Sequence, residues 1–176
     1  MNPHTHMTLP LVIVVMGVSG CGKSTAAIHI AEQLNAHCKD GDELHPEANI
    51  DKMASGIALE DEDRQPWLED VARYAREYAN THGICVIACS ALKQHYRDTI
   101  NQAGNVVYVF LEGSFELIAS RMHQRTGHFM PETLLQSQFA ALEDPRSEGN
   151  VVVVSIDNEA EDIARDAIKK IKALES

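Results

Sequence analysis

The chain has 176 residues, of which 44% are hydrophobic and 23% charged, and this composition is typical of one globular domain. Its net charge of −11 argues against nucleic acid as a partner, because such binding depends on Lys and Arg neutralising phosphates. No apolar run approaches the roughly 20 residues of a membrane-spanning helix, and no signal-peptide pattern precedes residue 10. We therefore expect a cytoplasmic protein without membrane association, folded as a single domain over residues 1–176, with residues 1–9 disordered.

The first predicted elements are a strand, a glycine-rich loop and a helix. The apolar, β-branched run from Leu11 to Met16 predicts a buried parallel strand, and apolar positions at helical spacing follow the loop. The loop between them matches the phosphate-binding pattern G-x-x-x-x-G-K-[ST] at every fixed position. A glycine-rich turn without a ligand is the alternative, and the strand–loop–helix context disfavours it. The residues expected to bind a nucleoside triphosphate are Gly17, Val18, Ser19, Gly20, Cys21, Gly22, Lys23, Ser24 and Thr25.

Two residues of this loop have more specific expected roles. Lys23 can reach the outer phosphates of ATP, and the Ser24 hydroxyl is placed to ligate Mg²⁺.

A short second strand over 36–40 is predicted to end beside the phosphate loop, in the sequence Asp40-Gly41-Asp42. Phosphorylation of an alcohol needs one group to orient the hydroxyl and take its proton, and a carboxylate to help hold Mg²⁺. We assign the first role to Asp42 and the second to Asp40. The alternative is an acidic turn, since Asp-Gly-Asp suits a turn, but the adjacent phosphate loop favours the functional interpretation.

The remaining elements alternate between helices and apolar strands. The sequence predicts a helix over 47–53, an acidic loop over 60–64, a helix from near Pro66, and strands over 84–89, 106–111 and 151–156, with Ser90 capping the helix after the third strand. This alternation indicates an α/β fold of three layers, in which helices cover both faces of a five-stranded parallel sheet. Ligands of such sheets bind at the carboxyl ends of the strands.

Several cationic side chains follow these strands. Arg64, Lys93 and Arg97 could bind a carboxylate substrate, for which the planar fork of Arg is suited, and a surface salt bridge is the alternative for each. Arg121 and Arg125 lie on one helix face and could close over ATP as part of a lid over about 121–131, with a solvated helix face as the alternative.

Together these features indicate a small P-loop phosphotransferase with a small acceptor molecule. The main alternative is an NTP-hydrolysing switch, which would normally show a hydrophobic strand ending in a Walker-B acid. The aspartate pair after the second strand favours a kinase.

Several longer motifs resemble the gluconate kinases. They are Asp40-Gly41-Asp42-Glu43-Leu44-His45-Pro46, Asp61-Glu62-Asp63-Arg64-Gln65-Pro66-Trp67-Leu68, Cys89-Ser90-Ala91-Leu92-Lys93 and Gly127-His128-Phe129-Met130-Pro131. The likeness extends from about Val12 to Pro145. Ala58, where the family usually has Pro, and Cys21, where Ser or Ala is commoner, depart from the pattern without removing a catalytic group. A shikimate-kinase-like relative is the competing interpretation.

The resemblance implies transfer of the γ-phosphate of ATP to the 6-hydroxyl of D-gluconate. It also implies a nucleoside-monophosphate-kinase-like fold with a lid, and usually a homodimer. On this basis Lys23, Asp42 and Arg125 are expected to be catalytic, with Arg121 at the nucleotide. The residues expected to contact gluconate are Asp42, His45, Arg64, Lys93, Arg97 and His128.

Overall fold

The computed structural model describes residues 7–18, 20–124 and 132–175. Within these ranges five parallel strands form one sheet in the order β2-β3-β1-β4-β5. The strands are β1 (Leu11–Met16), β2 (Cys38–Asp40), β3 (Ile84–Ala88), β4 (Val106–Glu112) and β5 (Val151–Ser155). The predicted five-stranded parallel sheet is therefore confirmed, and its central strand is the one that leads into the phosphate loop.

Helices connect the strands and cover the sheet. They are α1 (Lys23–Gln33), α2 (Glu47–Ala54), α3 (Asp61–His82), α4 (Gln94–Ile100), α5 (Phe115–Gln124), α6 (Glu132–Ala141) and α7 (Ala160–Glu175). None of these helices, in the part of the chain that the structure describes, combines the length and apolar character needed to cross a bilayer.

The core lies on both faces of the sheet, and β1 shows why its sequence is apolar at every position. Leu11, Ile13 and Val15 pack in a cluster that includes residues of α1 and α7, while Val12 and Val14 pack in a second cluster with residues of α3 and α4. Because successive side chains of a strand point to opposite faces, a strand covered on both sides needs a continuous apolar run. This arrangement is the three-layer architecture that the sequence predicts.

The start of α3 corrects one prediction. The segment from Glu60 to Arg64 is not an acidic loop, because α3 begins at Asp61 and includes Pro66. Glu60 and Asp63 form a capping box, in which the Glu60 N–H donates to the Asp63 carboxylate at 2.9 Å. Acidic side chains satisfy the unpaired N–H groups of a first helical turn and interact favourably with the helix dipole, so this acidic run stabilises a helix start.

The start of α4 corrects another prediction, since its N-cap residue is Lys93 and not Ser90.

At the other end of the sheet, Met7 is buried and the carbonyl of Thr8 accepts a hydrogen bond from the Asn105 side chain at 2.9 Å. These two residues of the stretch predicted to be disordered therefore contact the body of the domain.

Candidate active site

The phosphate loop connects the central strand to α1 and leaves a helix N-terminus facing the carboxyl edge of the sheet. Gly22 is the N-cap residue of α1 and has a φ of +92°, a conformation that residues with a side chain rarely adopt. The first turn of α1 contains no acidic side chain. Its unpaired N–H groups and the positive end of the helix dipole are therefore available to an anion.

The two functional side chains at the start of α1 lie beside this anion-binding backbone. The Lys23 ammonium donates to the carbonyl of Val18 at 3.2 Å, so it is held over the loop and not extended into solvent. Ser24 and Thr25 follow it in the first turn. All three residues border the cleft described next.

A cleft of about 380 Å³ opens at the carboxyl ends of β1, β2 and β3. It brings together nine of the residues that the sequence predicts for the phosphates, the metal and the acceptor. Its lining residues are Gly20, Gly22, Lys23, Ser24, Thr25, Asp40, Asp42, His45, Met53, Leu59, Arg64, Trp67, Ala88, Cys89, Ser90 and Gln138.

Asp40 and Asp42 take different positions in this cleft. The Asp40 carboxylate accepts a hydrogen bond from the Asp42 N–H at 2.9 Å, and so caps the short 3-10 turn Gly41–Leu44. Although 80% of the Asp42 side chain is exposed, the cleft walls remove part of its hydration. This partial burial and, secondarily, the charge of Asp40 raise the pKa of Asp42, while His45 and Lys23 oppose the shift. Asp42 is thus a proton acceptor somewhat stronger than an ordinary aspartate.

The turn that carries Asp42 is held by Trp67. The Trp67 indole N–H donates to the carbonyl of Gly41 at 2.8 Å, and its ring stacks on the His45 imidazole with centroids 4.1 Å apart. A Cβ atom added at Gly41 would lie 2.8 Å from the carbonyl oxygen of Ala88, so only glycine allows the turn to approach β3 this closely. These contacts position both Asp42 and His45.

A cluster of charged side chains surrounds Asp61 beyond this turn. Its carboxylate lies 3.6 Å from Arg64, 3.5 Å from Lys93 and 3.5 Å from His95, and accepts the Tyr96 hydroxyl at 2.5 Å. The hydrogen bond from Tyr96, followed by the nearby Lys93 and His95, lowers the pKa of Asp61. The Arg64 guanidinium also donates to the Tyr96 hydroxyl at 3.2 Å. The structure therefore places Arg64 and Lys93 together.

Arg97 lies elsewhere, and its position contradicts the prediction that it binds substrate. Its side chain is 0% exposed, and its guanidinium pairs with the Glu148 carboxylate at 2.8 Å. It also donates to the carbonyls of Ala91 at 2.7 Å and Glu143 at 2.9 Å. These partners all belong to the protein, so the Arg97 side chain links the loop between β3 and α4 to the segment between α6 and β5.

A second cavity, of about 130 Å³, lies on the other side of the phosphate loop. Arg121, Cys21, Leu111, Asn158 and Ile163 are among its lining residues, so the structure places Arg121 beside the loop. Three predicted site residues, Ser19, Arg125 and His128, and the predicted lid from residue 125 onward lie outside the described residues.

Comparison with known proteins identifies the family. The sequence profile described as shikimate kinase matches residues 19–172. The thermoresistant gluconokinase of Escherichia coli (strain K12) is 44% identical over 92% of this chain and 93% of its own length. The gluconokinase of Gluconobacter oxydans (strain 621H) is 39% identical over 93% of each chain. The chain belongs to the gluconokinase family.

Solved structures agree with this assignment to the gluconokinase family. A gluconokinase from Sinorhizobium meliloti 1021 has a TM-score of 0.84 and 45% identity, covering 94% of this chain and 93% of that chain. A shikimate kinase from Aquifex aeolicus has a TM-score of 0.59 and only 15% identity, over 92% of this chain and 96% of that chain, and so shares the fold alone.

Sequence-based predictions assign no role to some of the residues in or beside the cleft. Trp67 and Asn49 position His45, and Gln138 of α6 borders the cleft. Trp67 lies in a motif that resembles the gluconate kinases, but the spacing and type of Trp67 and Asn49 alone indicate core or surface helix residues.

Proposed function

We propose that this protein is a gluconokinase that transfers the γ-phosphoryl group of ATP to the 6-hydroxyl of D-gluconate. The observation that carries the proposal is the single cleft in which Lys23, Asp42 and Arg64 lie together, with Lys93 next to Arg64. Such a cleft offers a phosphate site, a proton acceptor and a carboxylate site. Relatives named gluconokinase, 39–44% identical over nearly the whole chain, support the choice of gluconate.

The nucleotide phosphates would bind to the N–H groups at the start of α1, with Lys23 neutralising the outer phosphates. The proposed nucleotide position also uses the second cavity, where Arg121 lies close to the loop. In the proposed reaction the gluconate oxygen forms a bond to the γ-phosphorus while the bond to the β–γ bridging oxygen breaks, and ADP leaves.

The donor atoms near the phosphate loop fit a magnesium ion. Ser24 and Asp40 border the cleft and supply oxygen ligands, which Mg²⁺ prefers. The described residues contain no cluster of three or more His, Cys, Asp or Glu side chains that could hold a metal by themselves. Mg²⁺ usually takes one or two protein ligands and completes its shell with phosphates and water, so the oxygen atoms of Ser24 and Asp40 are sufficient. When bound, the ion neutralises charge on the phosphates.

Asp42 is the proposed acceptor of the 6-hydroxyl proton. Its carboxylate borders the same cleft as Lys23, and a positioned carboxylate can take the proton of a hydroxyl that is held within hydrogen-bond distance. Phosphoryl transfer has a loose transition state that depends mostly on positioning, so a carboxylate is a sufficient base.

Arg64 and Lys93 are the proposed partners of the gluconate carboxylate. Both side chains are about one-third exposed, so they remain accessible to an anion although they flank Asp61. The planar guanidinium of Arg64 can bind both oxygens of a carboxylate. A role for Arg125 and a lid over 121–131 are proposed from the spacing of Arg121 and Arg125 together with the resemblance, and a role for His128 is proposed from the resemblance.

A coupled assay of ADP release tests the proposed function. We expect turnover with gluconate and Mg²⁺-ATP to exceed turnover with idonate, shikimate or nucleoside monophosphates by at least about tenfold in kcat/KM. Higher specificity for shikimate would instead support the activity named by the family profile.

We further propose that the enzyme is a cytoplasmic homodimer. The availability of ATP in the cytoplasm supports this location, and the dimer is what the resemblance implies. Light scattering during size-exclusion chromatography measures the mass, and a value near 19.4 kDa would contradict the dimer.

A further inference from the structure

The side chain of His45 is held on two sides, and this determines which of its ring nitrogens carries a proton. One face of the imidazole stacks on Trp67, with an interplanar angle of 16°, and the side chain is only 6% exposed. The Nδ1 atom faces the amide nitrogen of Asn49 at 3.2 Å, and the Nε2 atom faces the Asp42 carboxylate at 3.9 Å. The ring therefore has one fixed internal contact and one nitrogen directed toward the cleft.

The orientation of the Asn49 amide follows from its other partner. Its nitrogen lies 2.9 Å from the backbone carbonyl of Asp63, which only accepts hydrogen bonds. A flipped amide would place two oxygen atoms against each other, so the nitrogen must face this carbonyl. Asn49 is 4% exposed, and Asp63 is held by the capping box of α3 and by Lys52 at 2.7 Å. The amide donor is thus fixed in place.

The second hydrogen of the Asn49 amide points at Nδ1 of His45. Nδ1 accepts this hydrogen bond only if it carries no proton, and a neutral imidazole then carries its proton on Nε2. Burial and, to a smaller extent, the charge of Arg64 lower the pKa of His45, whereas Asp42 opposes the shift. The hydrogen bond from Asn49 and the lowered pKa of His45 therefore both favour a neutral ring that presents an Nε2–H group to the cleft.

We propose that this Nε2–H group of His45 and the Asp42 carboxylate bind the acceptor hydroxyl together, with Asn49 as the positioning residue that selects the His45 tautomer. An oxygen atom at ordinary hydrogen-bond distance, about 2.8 Å, from both groups fits their separation of 3.9 Å. The hydroxyl donates to Asp42 and accepts from His45. Its remaining lone pair is then free to attack the γ-phosphorus, so the pair sets the direction of attack.

This arrangement favours a hydroxyl group because it combines one hydrogen-bond donor, His45, with one acceptor, Asp42. A protonated amine can donate to Asp42 but cannot accept from His45, and an ether oxygen can accept but cannot donate. The inference rests on the proposed function insofar as the hydroxyl belongs to gluconate. The tautomer itself is a property of the protein alone.

Nitrogen NMR tests the tautomer without relying on turnover. In the full-length ¹⁵N-labelled enzyme with Mg²⁺ and a non-hydrolysable ATP analogue, we expect His45 to show an unprotonated Nδ1 and a protonated Nε2. The His45→Gln variant, which lacks these signals, assigns them, and Asn49→Ala should lose the strong preference for this tautomer. A proton on Nδ1 in the wild-type enzyme would overturn the proposal.

Kinetic measurements on two matched variants test whether the Nε2–H group of His45 donates to the acceptor hydroxyl. In His45→Gln the side-chain amide can place an N–H group near the former Nε2 position, whereas in His45→Asn it lies near the former Nδ1 position. We expect a lower kcat with gluconate for His45→Asn by about 5- to 10-fold relative to His45→Gln, the scale of one lost hydrogen bond, with the KM for ATP unchanged in both. Equal kcat values in the two variants would overturn the donor role. Turnover of gluconate by the wild-type enzyme tests the proposed function separately.

Discussion

Replacement of Arg97 by Met should destabilise the fold strongly. The guanidinium makes a bidentate pair with Glu148 and donates to two backbone carbonyls, and its side chain is fully buried. Removal of one partner of a buried, hydrogen-bonded ion pair costs about 3–5 kcal/mol, because the remaining charge and acceptors lose their partners. A domain of this size loses roughly 2–4 °C of Tm per kcal/mol, which gives a decrease of about 6–20 °C.

Urea and thermal unfolding followed by circular dichroism measure this effect. Arg165→Met is a matched control, because Arg165 forms an exposed pair with Asp162 on α7 and should change stability by no more than about 1 kcal/mol. Loss of Arg97 also releases the carbonyl of Ala91, whose φ of +47° is unfavourable for a residue with a side chain. The Arg97→Met/Glu148→Met double variant should recover part of the lost stability, since it leaves no unpaired charge.

A different outcome would restore the earlier interpretation of Arg97. If Arg97→Met lost less than about 1 kcal/mol of unfolding free energy while the KM for gluconate rose more than about tenfold, Arg97 would be a substrate residue. The buried conformation of the Arg97 side chain would then not be the one present in the active enzyme.

Three further predictions concern the cleft. Lys23→Ala should abolish phosphoryl transfer, since it removes the charge over the phosphates, while the urea midpoint stays near that of the wild type; near-normal turnover would refute the phosphate-loop assignment. Arg64→Ala should raise the KM for gluconate much more than the KM for ATP, and equal effects on both substrates would contradict its role at the carboxylate. Asp42→Asn should lower kcat by about 10²-fold with ATP binding nearly unchanged, whereas Asp40→Asn should raise the Mg²⁺ requirement. Rescue of the Asp42 variant and not the Asp40 variant by excess Mg²⁺ would reverse the two assignments.

Some features of this protein follow from local sequence alone. The apolar run from Leu11 to Met16 requires burial on both faces, and the glycines and Lys23 after it match a loop whose geometry is local. The turn that carries Asp42 is short and adjacent to a predicted strand end. These features were predictable because each depends on residues within a few positions of one another.

Helix boundaries were less predictable where a run of acidic residues could indicate either a loop or the first turn of a helix. Several acidic residues in a row indicate an exposed loop, but the same residues stabilise the first turn of α3 once Glu60 and Asp63 exchange hydrogen bonds. The apolar pattern of the helix becomes regular only after this turn. The sequence therefore predicts the helix and misplaces its start.

The roles of Arg97, Asn49 and His45 were decided by tertiary structure. Arg97 pairs with Glu148, which is 51 residues away, and Asn49 binds a carbonyl 14 residues away in another helix. No periodicity records such contacts, since an arginine or asparagine in a short helix has the same local pattern whether it is buried or exposed. The packing of the segment between α6 and β5 against α4 makes Arg97 a structural residue, and the packing of α2 against α3 gives the His45 ring a defined orientation. Burial away from bulk solvent is what makes each of these partners necessary.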